Sequence, residues 1–159
     1  MYVPIFQEPI YECSLTLWNL QVYDLRKGSQ SSSLVGHTDT PTSLCVSPNG
    51  NYLLSPSFSS QTIIWDIRPF SPSPNRVHRV LQGAPAGFEN TLLKGAWSRD
   101  DGGKRAALGG ADRMVCIWDA DGGKILYKVV AFISSFLCCV LSCALYFNSS
   151  LGIKERLHL

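Results

Sequence analysis

The stretch Thr62-Ile63-Ile64-Trp65-Asp66-Ile67 is short, rich in β-branched residues and apolar at consecutive positions. β-Branched and aromatic side chains suit a pleated, packed surface. Apolar residues on both faces mark a strand with neighbours on both sides, not a half-solvated one. A buried helix segment can carry the same run, but Ser59-Ser60-Gln61 before it and Pro69 after it punctuate it at strand length. The closing aromatic-Asp pair recurs in Val22-Tyr23-Asp24-Leu25 and Ile117-Trp118-Asp119-Ala120, and the three pairs stand 42 and 53 residues apart. The first spacing lies in the range of repeats that each build one four-stranded unit, roughly 40–45 residues.

Working outward, the middle repeat predicts strands over 42–47, 52–57 and 62–67. They are separated by Pro48-Asn49-Gly50 and Ser59-Ser60-Gln61, residue types that tolerate turn geometry. The third repeat copies the plan, with strands over 92–98, 105–109 and 114–119, and turns at 100–103 and 111–113. Its extra length includes Pro69, Pro72 and Pro74. Proline lacks the donor that a central strand needs, so 69–75 reads as a surface connection. Residues 1–18 carry no clear repeat, and the first repeat shows only its closing strand. Residues 129–147 are apolar and uncharged where another repeat is due. The expected division is an atypical segment 1–18, a repeat region 19–130 and a non-repeat apolar tail 131–159.

Composition narrows the function. A 45% hydrophobic and 16% charged chain of 159 residues has enough apolar material for a packed core, and a formal net charge of +2 gives no nucleic-acid groove or polybasic membrane surface. The six cysteines form no CxxC pair matched by a second pair or a histidine, so no metal site is expected and reduced thiols in an intracellular protein fit best. Met1 to Phe6 lacks a basic stretch leading into a long apolar run, so no leader is expected. His37, His78 and His158 have no nucleophile partner in their repeats, and Gly102-Gly103 and Gly109-Gly110 lack phosphate-loop spacing. Asp100-Asp101 reads as a solvated turn. No catalytic residue, cofactor or small-molecule substrate is expected.

These residues resemble the WD40 repeat family. Gly36-His37 resembles its Gly-His turn and Trp65-Asp66 its closing pair, 28 residues later. The resemblance implies an all-β partial propeller of about two complete four-stranded blades plus part of a third, with an apolar C-terminal tail. It also implies a buried hydrogen-bonded network of histidine, hydroxyl residue, tryptophan and turn aspartate. Carried over, the network residues are His37, Ser57 and Trp65 in the middle blade and Asp112 and Trp118 in the last. Ser59 stands where the middle blade's aspartate belongs, and Gly110 where the last blade's hydroxyl belongs. So short an arc cannot close a ring. The chain therefore reads as truncated, with 129–159 in place of the next blade. The uncharged run 129–147 approaches the roughly twenty residues of a bilayer span, but Ser134, Ser135 and Ser142 dilute it, so aggregation is expected ahead of membrane anchoring.

Within that family, Trp65-Asp66-Ile67-Arg68-Pro69-Phe70, Phe88-Glu89-Asn90, Ala96-Trp97-Ser98 and Ala111-Asp112-Arg113-Met114-Val115 resemble the WD-repeat subunits of the U5 small nuclear ribonucleoprotein. The resemblance covers about residues 19–128; Ser59, Arg99 and 83–87 depart from it. It implies a non-catalytic scaffold of the nuclear spliceosome, bound to that particle's large central scaffold protein and meeting RNA mainly through proteins. The connection 69–91, with Phe70 and Phe88, is the expected partner contact. An alternative class rests on Trp65-Asp66-x-Arg68, which matches the Trp-Asp-x-Arg box of WD-repeat substrate receptors for cullin–RING ubiquitin ligases. In those receptors the arginine faces an adaptor.

Overall fold

The computed structural model describes residues 2–4, 11–15, 18–87, 93–99 and 102–130. They form twelve strands and no helix. The strands make three antiparallel sheets of four, each ordered as in the chain: β1 (Tyr2–Pro4), β2 (Tyr11–Leu15), β3 (Asn19–Asp24) and β4 (Ser29–Val35); then β5 (Cys45–Val46), β6 (Tyr52–Pro56), β7 (Thr62–Asp66) and β8 (Val77–Leu81); then β9 (Gly95–Trp97), β10 (Arg105–Gly109), β11 (Met114–Asp119) and β12 (Ile125–Val130). The expected all-β architecture is present, and strands β10 and β11 fall at their expected bounds. Residues 131–159, and so nearly all of the apolar tail, lie outside the described residues.

Two expectations are corrected. The first sheet is more than a closing strand, because residues within 1–18 supply β1 and β2, and Tyr11–Leu15 pairs in register with Leu20–Asp24. The connection 69–91 is not all loop, because β8 lies inside it and pairs with β7 from Thr62↔Leu81 to Trp65↔Val77. The outer strands β4, β8 and β12 were illegible for one reason. β4 and β12 are largely exposed and β8 only partly buried, and Ser29–Val35 is mostly serine and glutamine, so no apolar alternation marks it.

The turns follow their residues. Ser47 Oγ donates to Asn49 Oδ1 (2.6 Å), the Gly50 N–H donates to Ser47 O (2.9 Å), and Gly50 takes φ +71° as the Pro48-Asn49-Gly50 reading requires. In the next hairpin of each of the last two sheets, Ser60 and Arg113 both take φ +61°. Ser59 and Asp112 precede them, which makes the two equivalent positions.

Alternation along β6 and β7 builds two cores. Leu53, Ile63 and Trp65 pack with Leu44 and, from the first sheet, Leu20 and Leu34. Leu54 and Ile64, the intervening residues, pack with Leu81 and with Leu93, Trp97, Ala106, Leu108, Cys116 and Trp118 around the third sheet. All five residues of β7 are buried. Each fully buried aliphatic side chain contributes about 1.5–3 kcal/mol through water exclusion. Polar links stitch the second core shut: the Thr42 hydroxyl donates to Leu93 O (2.8 Å), and the Trp97 indole donates to Cys45 O (2.8 Å). Gly95 is required by closeness, since a Cβ there would stand 2.6 Å from Leu54 Cδ2.

Leu53→Ala and Leu54→Ala should therefore each cost about 2–5 kcal/mol, although adjacent, because they empty different cores. Their effects should add in the double variant. Val80→Ala, on the exposed side of β8, should stay within about 0.5 kcal/mol. Urea unfolding followed by tryptophan emission measures all four.

Candidate interaction surface and the network beneath it

Each repeat's aspartate has a local task. Asp24 Oδ1 accepts the Arg26 N–H (2.9 Å), Asp66 Oδ1 accepts the Arg68 N–H (3.1 Å), and Asp119 Oδ2 accepts the Gly122 N–H (3.0 Å). The carboxylate satisfies donors that the turn out of its strand would leave unpaired, which is why the pair ends in a short acceptor side chain.

Beneath the surface, Ser55 joins the histidine to the tryptophan. The Trp65 indole donates to Ser55 Oγ (2.7 Å), and Ser55 Oγ lies 2.6 Å from His37 Nε2. The His37 and Trp65 rings meet edge to face at 5.7 Å between centroids. Gly36 is needed beside them, because a Cβ at Gly36 would come within 3.0 Å of Trp65 Cη2. This corrects the hydroxyl assignment. Ser57, two residues further along the same face, instead meets Ser59 Oγ (2.6 Å) and donates to Gln61 O (3.0 Å). The signal that finds Ser55 is register: Leu53 pairs with Trp65 and Ser55 with Ile63, which puts Ser55 beside the indole on the face that Trp65 shares.

Having accepted from Trp65, the Ser55 hydroxyl has its own proton to give. His37 Nε2 at 2.6 Å is a better acceptor than Ile63 O at 3.4 Å. The histidine proton then sits on Nδ1, which is buried and finds no hydrogen-bond partner among the described residues. Serine stands at position 59, where the resemblance calls for an aspartate, and its hydroxyl meets Ser57 Oγ (2.6 Å). Burial holds the His37 pKa down at about 4, from an ordinary 6.5.

The third sheet solves the same problem without a histidine. The Trp118 indole donates to the backbone oxygen of Gln82 (2.9 Å). Register places Leu108, two residues from Trp118's partner Ala106, at the position equivalent to Ser55. The replaced hydroxyl is therefore at Leu108 and not at Gly110. Asp112 does not reach Trp118: it accepts the Met114 N–H (3.2 Å) and pairs with Lys128 Nζ (2.9 Å).

Above this network lies the loop from β7 to β8. Arg68 clamps Asp66 with two parallel bonds, Nε to Oδ1 (2.9 Å) and Nη2 to Oδ2 (2.5 Å), and Ser71 Oγ donates to Oδ2 (3.1 Å). The guanidinium also lies over the Tyr52 ring at 5.7 Å, and His78 packs against that ring at 4.6 Å. Arg68's hydrogen bond, the largest cause, holds the Asp66 carboxyl down at about 2. This intrachain fork accounts for the Trp65-Asp66-x-Arg68 spacing without an adaptor. Phe70 follows with 95% of its surface exposed, so it packs on no neighbouring strand. Phe88 lies outside the described residues. Burial raises the thiol pKa values of Cys45 and Cys116, and neither is in a disulfide.

Three four-stranded sheets, stacked face to face and each closing its third strand on an aromatic-Asp pair, define a partial WD-repeat β-propeller. A chain of the crystal structure of the mitotic checkpoint complex has the same fold, with a TM-score of 0.60 at 24% identity over 76% of this chain and 35% of that one. In sequence, the chain is similar to the U5 small nuclear ribonucleoprotein 40 kDa protein of Pongo abelii, 40% identical over 94 residues, covering 59% of this chain and 26% of that protein. It is also similar to pre-mRNA-splicing factor cwf17 of Schizosaccharomyces pombe, 38% identical over 103 residues, covering 65% and 29%. The chain thus spans about a quarter of the length of these curated relatives. No family model matches it.

Two outcomes follow from the network. Ser55→Ala should cost about 1–3 kcal/mol, because it strands a buried indole donor and an imidazole nitrogen together. Ser57→Ala should cost about 1 kcal/mol or less, since its bonds lie nearer the turn surface. Denaturant midpoints rank the pair. Acid should act through His37. The unfolded chain binds its proton near pH 6.5 and the folded chain only near pH 4, so stability is present above 6.5 and falls as pH drops through this window, by roughly 3 kcal/mol at full extent. His78, whose pKa is also lowered, chiefly by burial, adds in the same direction. Asp66 acts separately: its stabilisation is complete above its ordinary 3.8 and is lost toward pH 2. In His37→Gln the stability slope between pH 6.5 and 4 should flatten to the His78 contribution.

Proposed function

We propose that this chain is the repeat region of a non-catalytic scaffold subunit acting in nuclear pre-mRNA splicing as part of the U5 particle. The observation that carries the reading is its 40% identity, over 94 residues, to a protein named for the U5 particle. The name of a second relative, a pre-mRNA-splicing factor, supports it. A stacked-sheet scaffold with interior hydrogen bonds tying blade to blade is rigid, and it presents loops at fixed positions. The partners in this reading are proteins, foremost the large central scaffold of the particle. RNA is met mainly through them, because residues 19–128 carry no basic stripe interleaved with stacking aromatics.

Phe70 is the proposed anchor within this chain. An almost fully exposed ring on a loop braced by the Arg68–Asp66 fork costs little entropy to bury against a partner. Phe88 is its proposed second contact. The expected result is that a longer protein containing this region, tagged and expressed in cells, recovers U5 components. Phe70→Ala should weaken that recovery by about 2 kcal/mol or more, roughly thirtyfold, with the circular dichroism spectrum unchanged. Undiminished recovery removes the Phe70 contact. Failure of the unaltered protein to recover any U5 component removes the splicing assignment.

A further inference from the structure

The loop that presents Phe70 also carries two Ser-Pro pairs, Ser71-Pro72 and Ser73-Pro74, and the second continues to an arginine as Ser73-Pro74-Asn75-Arg76. We propose that Ser73 is a phosphorylation site for a proline-directed protein kinase that favours a basic residue three positions downstream.

Presentation comes first. Ser73 is half-buried between exposed neighbours, Pro69, Phe70, Pro72, Pro74 and Asn75, and the segment belongs to no ladder. The Arg76 N–H donates to Ser73 O at 3.1 Å, the closing bond of a four-residue turn. Extension into a kinase cleft opens this bond and frees Arg76 Nη1 from Arg68 O (2.9 Å) and Asp66 O (3.4 Å), at about 1 kcal/mol for each bond, while β7 and β8 stay paired. Arg76 itself is held at φ +56°, a conformation that a non-glycine residue adopts reluctantly, and extension relieves it.

The two serines differ in their surroundings. Ser71 Oγ is tied to Asp66 Oδ2 at 3.1 Å, and a phosphate there would face the buried carboxylate. Ser73 Oγ has no such tether among the described residues. Positions 67–80 contain Arg68, Arg76 and Arg79 and no acidic residue. A group carrying about −1.5 to −2 charges at neutral pH is therefore received by arginines. Arg76, at the far end of the same turn, is the nearest in sequence. Its Nη1 now donates to Arg68 O at 2.9 Å and can exchange that neutral acceptor for a charged one.

In the transfer, Ser73 Oγ attacks the γ-phosphorus of ATP. The new O–P bond forms as the bond to the bridging oxygen breaks, ADP leaves, and the hydroxyl proton passes to the kinase's catalytic carboxylate. The modification does not depend on which partner Phe70 meets.

The test is incubation of the whole chain with a cyclin-dependent kinase and magnesium-ATP, with the phosphate located by tandem mass spectrometry. A synthetic peptide of residues 66–80 runs alongside. The expected result is one phosphate, on Ser73, added to the chain as fast as to the peptide. It persists in Ser71→Ala, is absent from Ser73→Ala and Pro74→Ala, and is slowed about tenfold in kcat/KM in Arg76→Ala, the worth of one charge-assisted contact. A peptide that is modified while the chain is not overturns the proposal, as does phosphate chiefly on Ser71, transfer indifferent to Pro74, or no transfer to either substrate.

Discussion

Burial of β7 on both faces is the constraint on which the rest depends. A strand of five consecutive buried residues cannot exist at a solvated surface; it needs a packed layer on each side. Ile63 and Trp65 obtain one from Leu20 and Leu34 of the first sheet, and Ile64 obtains the other from Trp97, Leu108 and Trp118 of the third. Removing either flanking sheet would bare half of the central one. Stability in such an array resides as much between units as within them.

Apolar layers alone do not set the angle or register at which sheets meet, and buried polar groups do part of that work. The middle blade uses a chain from His37 through Ser55 to Trp65, tying the entry turn to two strands of the sheet. The last blade sends its indole to the backbone at Gln82 and puts Leu108 where the serine would be. Both arrangements satisfy the indole donor. Only the first leaves a residue, the imidazole Nδ1, without a partner among the described residues. A single resemblance motif thus covers two different physical solutions, and the difference lies in side chains that face each other across strands.

The outer surface is organised by the same aspartates that close the repeats. Asp66 holds the Arg68 fork and the Arg68 N–H, and Ser71 adds a fourth bond to the same carboxylate. The start of the loop is therefore rigid, while Phe70 and the prolines beyond it project into solvent. A firm base beneath an exposed aromatic tip suits recognition, since little order remains to be imposed on binding. The Arg68 side chain shows how one spacing can carry two meanings. Read as text it matches an adaptor-binding box, whereas in three dimensions its fork is occupied by its own neighbour two residues away.

The sequence by itself determined the repeat, the all-β class, the inner strands and the turns. These rest on local physics: two-sided apolar runs, prolines that cannot join a ladder, and glycine and asparagine where φ turns positive. It also marked Gly36-His37 and Trp65 as a linked set through their spacing. Tertiary structure decided the rest. Strands β1, β2, β4, β8 and β12 owe their existence to pairing with a neighbour and not to their own pattern, as the polar Ser29–Val35 shows. The choice of Ser55 over Ser57 needed the register of β6 against β7, because both serines share a face and only cross-strand position separates them. Phe70 and the buried aromatics look alike along the chain. Which ring is covered and which is bare depends on where neighbouring sheets stand, a nonlocal fact that no stretch of sequence holds by itself.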